Sequence, residues 1–191
     1  MSFTKAVIRC LVSKGIVPAS DSELYEFGLN QLFFQAINIV TDVIVGLCFG
    51  MLPQCILFLA TFIPMRSYAG GFHAKTPFRC YILSTAILAA ALCVIKFLPA
   101  TALVCLLLAV PSGVVSLYMA PVADTNKPLS LKEKSVYRKN FQKVLCVVSI
   151  VAFFCFCFGY PAATLSIGVA MVALAIMMVA GFLKNKQQSV N

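Results

Sequence analysis

The chain reads as an all-α integral membrane protein: about six transmembrane helices in one bundle, with both termini cytoplasmic. Three observations lead there. First, 61% of its 191 residues are hydrophobic and only 11% are charged. A soluble domain is about 45–50% apolar and about 25% charged. So few charges cannot keep that much apolar surface in water, and the mean hydropathy of +0.97 makes lipid the natural solvent. Second, the apolar residues fall into six stretches, at 29–50, 52–65, 80–97, 99–120, 144–159 and 162–183. Third, the bases lie on one side of them. With six spans and a cytoplasmic N-terminus, the inside regions are 1–28, 66–79, 121–143 and 184–191, and of the 15 Lys and Arg only Lys96 falls outside these. That is a positive-inside signal. It also explains the net charge of +9, so nucleic acid is excluded as a partner and the lipid bilayer is the expected one. The whole chain, 1–191, is read as a single membrane-embedded domain.

The elements follow in order. Residues 1–20 carry Lys5, Arg9 and Lys14 among Val7, Ile8, Leu11 and Val12, which lie at near-helical spacing. This predicts an amphipathic helix on the cytoplasmic leaflet, with a plain cytoplasmic tail as the alternative. There is no long apolar core of the kind a cleavable signal peptide needs. Ser20-Asp21-Ser22-Glu23 fits a capping box, with Ser20 at the cap. The first apolar stretch then carries Asn30, Gln31, Gln35, Asn38 and Asp42, a polar set that should face the bundle interior. An ionisable group within a span, Asp42 is a functional candidate in its own right.

The second stretch is short and ends at Pro64. It is tilted or extends into the next loop, and 29–65 is either two spans or a re-entrant hairpin, which charge does not distinguish. The third, fourth and sixth stretches meet the length a span needs. The fifth does so only if it starts inside the basic loop 121–143. Nine cysteines are present, without a CxxC pair. Most lie in apolar runs, where a free thiol behaves as a small hydrophobe. Cys155 and Cys157 lack the partners of a zinc set, so no metal and no cofactor is expected.

One loop is chemically unlike the rest. Residues 66–80, from Arg66 to Cys80, hold the only histidine, a glycine pair and a cysteine at the mouth of an apolar helix. Thr76 followed by Pro77 predicts a helix start, with Thr76 as the cap. Cys80 then sits in the opening turn, where the positive helix end and the neighbouring Lys75 and Arg79 favour a thiolate. On a straight helix His73 would lie about 10 Å from Cys80. Pro77 breaks that reading, and a turn at 74–77 would fold the imidazole back to act as general base and then acid. Gly70 and Gly71 permit φ > 0 and close approach of a substrate backbone, or offer N–H groups to an oxyanion. Arg66 suits a substrate carboxylate. Taken singly, each feature also has a plain reading as a turn, a surface histidine, a packing cysteine or a topology anchor.

Together these residues carry a resemblance. Arg66-Ser67-Tyr68-Ala69-Gly70-Gly71-Phe72-His73-Ala74, then Cys80-Tyr81, resembles the signature of the accessory gene regulator B (AgrB) family, the membrane peptidases of Gram-positive quorum sensing. Tyr25-Glu26-Phe27-Gly28-Leu29 is similar to the family's acidic-aromatic-glycine element. Residues Tyr118 to Pro128 are similar to its Tyr-Ala-Pro-Ala-Asp-Thr loop, with Met119 inserted and one residue fewer before Pro128. The three elements cover about 21 to 130.

The resemblance implies a cysteine endopeptidase that cuts a short AgrD-like propeptide near its C-terminal side. A Cys or Ser of the peptide then attacks the acyl-enzyme, giving a thiolactone or lactone, the precursor of an autoinducing peptide. Carried over by position, Cys80 is the nucleophile and His73 the base. Arg66 and Gly71 become supporting or substrate-binding residues, Gly70 joins them from the reading of the loop itself, and Glu26 and Gln31 are weaker candidates for substrate contact or for orienting His73. The implied location is the bacterial cell membrane, multi-pass, with the site toward the cytoplasmic face. A homodimer is compatible with such an enzyme. The basic stretch 127–143 would attract the acidic tail of the propeptide or serve as a lipid-headgroup anchor. The rival class is a non-enzymatic transporter, or an export or interaction component for a small peptide.

Overall fold

A computed structural model of the chain describes residues 3–72, 76–122 and 130–188. Among these residues the regular elements are all helical: α1 (Phe3–Ser13), a 3-10 turn (Ala19–Asp21), α2 (Ser22–Cys48), α3 (Leu52–Ala69), α4 (Pro77–Phe97), α5 (Ala102–Met119), α6 (Leu131–Cys157) and α7 (Pro161–Gln188). Each of the six apolar stretches becomes one helix, α2 to α7. Five are long and apolar enough to cross a membrane: Ala19–Cys48, Pro77–Phe97, Ala102–Met119, Leu131–Cys157 and Pro161–Gln187. This fits a multi-pass membrane protein. α3, with Pro53, Gln54, Pro64 and Arg66 among its 18 residues, is not in that set.

Several boundaries differ from the sequence expectations, each for a local reason. Pro64 does not end α3, which continues to Ala69. Residues 131–143 are not loop but the first turns of α6, because Ser130 and Glu133 form a capping box: the Ser130 side chain accepts from the Glu133 amide, and the Glu133 carboxylate accepts from the Ser130 amide at 2.9 Å. Ser20 does not cap α2. Pro18 is extended, the chain makes a 3-10 turn, and the Ser20 hydroxyl donates to Asp21 Oδ1 at 3.1 Å. α2 is 27 residues long, about 40 Å, and so is long enough by itself to span.

The chain divides into two compact units, residues 1–42 and 43–191. In the first, α1 has Thr4 and Ile8 buried and Lys5 and Arg9 exposed. In α2, Asp42 is buried, while Gln31 and Gln35 are exposed rather than turned inward.

In the second unit α7 is the common neighbour, packing on α5, α3, α6 and α4. The apolar window of α7 is 61% buried, against 22% or less for the other four spans, so α7 is the central helix. One apolar cluster joins Phe58 of α3, Leu88 and Leu92 of α4, Cys105 of α5, and Leu165 and Ala170 of α7. A second joins Met65 and Ala69 of α3, Phe141 and Val148 of α6, and Ile167, Met171, Leu174 and Met178 of α7. Small buried residues lie on both α5 and α7, Ser112 and Ser116 on one and Ser166 and Gly168 on the other. Leu103, Leu106, Leu107, Val110 and Val114 leave an exposed apolar flank on α5, which suits lipid contact.

Candidate active site

The loop between α3 and α4 is held by its backbone from three sides. Arg66 lies in the last turn of α3, and its guanidinium donates from Nη1 to the Gly70 carbonyl and from Nη2 to the Phe72 carbonyl. A parallel bridge joins Gly70 to Val122: Val122 N–H donates to Ala69 O at 2.8 Å, and Gly71 N–H donates to Val122 O at 3.2 Å. The third contact is α7, where Met177 O accepts from Phe72 N–H at 3.0 Å. Lys184, one turn beyond Gly181 on α7, places Nζ 5.1 Å from the centre of the Phe72 ring, within cation–π range.

Both glycines are required where they stand. Gly70 closes α3 with φ 70° and ψ −146°, a conformation essentially confined to glycine. A Cβ there would overlap Val122 O. Gly71, at φ 113°, faces the backbone of α7, and a Cβ would come within 3.0 Å of Met177 O. The close approach that the sequence suggested for a substrate is therefore made by the protein itself. The Gly70, Gly71 and Phe72 amides donate to Arg66 O, Val122 O and Met177 O respectively. This leaves the expected oxyanion role without a free donor at those positions. Two Arg66 donors likewise serve the loop.

The helix that bears Cys80 begins as its capping chemistry requires. Thr76 is extended, its hydroxyl accepts from Arg79 N–H at 3.4 Å, and Pro77 opens α4. Cys80 is half-buried in the opening turn, with its own amide donating to Thr76 O at 3.1 Å. His73 and the first part of the expected 74–77 turn lie outside the described residues, as does most of the 121–130 segment. Glu26 and Gln31 belong to the unit 1–42, Glu26 half-buried and Gln31 exposed on α2.

Below the loop, an apolar cavity of about 500 Å³ runs between α4 and α7, lined by Phe72, Leu83, Ile87 and Val94 on one side and Ile176 and Ala180 on the other. Leu83, Ile87 and Val94 recur at helical spacing from Cys80, so the thiol heads the same face of α4. The cavity accommodates apolar groups and offers no acid or base. Among the described residues, no three His, Cys, Asp or Glu side chains gather in a way that can hold a metal ion. The cysteines there are free thiols, with Cys55 and Cys105 buried.

Sequence reasoning missed Val122, Met177 and Gly181. Gly181 had one signal, a glycine inside a helix, which costs about 1 kcal/mol against alanine and so invites a packing reason. A family model described as accessory gene regulator B matches residues 4–183. No curated protein and no solved structure matches the chain.

Proposed function

Because the chain belongs to the accessory gene regulator B family, whose role is in quorum-sensing propeptide processing, we propose that it is a membrane cysteine endopeptidase acting on a short AgrD-like propeptide. The observation that carries this reading is the position of Cys80. It stands in the first turn of α4, the helix that follows in the chain a glycine loop whose backbone is fixed by Arg66, Val122 and α7.

His73 takes the thiol proton, and the Cys80 sulfur attacks the scissile carbonyl. The tetrahedral species collapses as His73 returns the proton to the leaving amine, releasing the C-terminal fragment and leaving a thioester on Cys80. A Cys or Ser side chain of the bound peptide then gives its proton to His73 and attacks that thioester. The ring closes as a thiolactone or lactone, and the Cys80 sulfur departs and is reprotonated.

Arg66, Gly70 and Gly71 support the site by holding the loop. Glu26 and Gln31 are secondary candidates for substrate contact. The positive-inside pattern supports a cytoplasmic position for this loop, and the family supports a bacterial cell membrane. The exposed Lys132, Lys134, Arg138, Lys139 and Lys143 on α6 suit an acidic peptide tail or anionic headgroups.

The test is cleavage of the cognate propeptide by lipid-reconstituted protein, read by mass spectrometry. Wild type is expected to release the tail and form a cyclic or acyl-enzyme species, while Cys80→Ala and His73→Ala insert normally and do neither. Equal behaviour of all three proteins would overturn the peptidase reading and leave an export or interaction role.

A further inference from the structure

A side chain on an α-helix covers the turn N-terminal to its own Cα. Position 181 therefore lies over the carbonyls one turn back, Met177 O among them. Glycine there leaves that carbonyl open from the side, and the Phe72 N–H uses it at 3.0 Å. The approach is backbone to backbone. A Cβ at position 181 would lie 2.5 Å from both Gly71 C and Phe72 N, and 2.8 Å from Gly71 Cα. Those atoms cannot rotate away as a side-chain tip would. The same loop is tied by hydrogen bonds to Arg66 and Val122, so relief requires moving either the loop or α7. Gly71 is the matching half of the contact, since its own Cβ would meet Met177 O and the Arg66 guanidinium.

We propose that Gly181 is a positioning residue of the active site: it seats the Gly70–Phe72 backbone on α7 and so sets where the chain leads into His73. This rests on the peptidase reading above. Glycine elsewhere on α7 does not share the role. At Gly168 a Cβ would meet Leu108 Cβ at 3.4 Å, an ordinary contact.

The experiment compares wild type, Gly181→Ala, Gly181→Val and Gly168→Ala in lipid nanodiscs. Propeptide cleavage kinetics and amide hydrogen exchange resolved over residues 66–72 are measured for each. A displacement of about 1 Å at reacting groups costs on the order of a hundredfold. Gly181→Ala is accordingly expected to lower kcat by about tenfold to a hundredfold, with KM little changed. Exchange at Gly71 and Phe72 should quicken while that of α4 and α5 stays as in wild type. Gly181→Val is expected to be worse, and Gly168→Ala near wild type.

A Gly181→Ala enzyme with unchanged kcat would overturn the proposal, as would rapid exchange at Phe72 in wild type, a readout that needs no variant. Failure of wild type to cleave at all sinks the peptidase reading instead, and the exchange data still report on the seat.

Discussion

Arg66 donates to the carbonyls on either side of Gly71, and a lysine cannot copy that. The guanidinium is a rigid planar fork, whereas an ammonium is a point charge on a flexible stem. Arg66→Lys keeps the charge that the topology uses and loses the geometry that the loop uses. It is expected to insert normally and to cut propeptide cleavage by about tenfold or more, since misplaced reacting groups are heavily penalised. Full activity in Arg66→Lys would mean that the fork is dispensable. Gly70→Ala strikes the same loop through backbone strain of about 1–3 kcal/mol together with the overlap on Val122 O. The sequence marked both positions as special, because a glycine pair beside an arginine is visible in one dimension. What they touch was not visible. Val122 and Met177 stand far along the chain in stretches that read as a loop and a featureless span.

Two helix caps separate stability from function. Ser130 closes the capping box of α6, and Ser130→Ala is expected to cost about 1 kcal/mol. This would read as a small drop in melting temperature with the cleavage rate unchanged below the melt. Thr76→Ala removes a simpler cap, one hydroxyl accepting from the Arg79 amide, from the turn that holds Cys80. Its expected signature differs: a comparably small drop in melting temperature, now accompanied by a fall of severalfold in kcat as the first turn of α4 frays. Thr76→Ser should restore the rate, and a thermal shift without a rate change would refute the link. The Thr76–Pro77 start was legible because capping is local chemistry. The same chemistry misled at Ser20, where the extended Pro18 sets up a 3-10 turn before α2 begins. At Ser130 it passed unnoticed inside a run of lysines. Helix positions within the apolar stretches came through well, since burial in lipid leaves the backbone no other way to satisfy its hydrogen bonds.

Among the described residues, five helices have the length and hydropathy to cross a membrane, and α3 falls outside that set. The charge pattern nevertheless calls for six spans. Reporters fused after residue 98 and after residue 191 decide the count: an extracytoplasmic signal from the first and a cytoplasmic signal from the second are expected. An external C-terminus would leave α3 out of the membrane and put Arg66 and Cys80 on a different footing from the inside lysines.

The place of α7 bears on how such a protein is made. It is the common neighbour of α3, α4, α5 and α6, and it follows all four in the chain. Until the ribosome has delivered it, the earlier helices have entered the bilayer without the one helix they all pack on, and the glycine loop lacks its seat on Met177. A message cut short before residue 161 would thus yield a chain that inserts but stays unassembled, a target for membrane quality-control proteases.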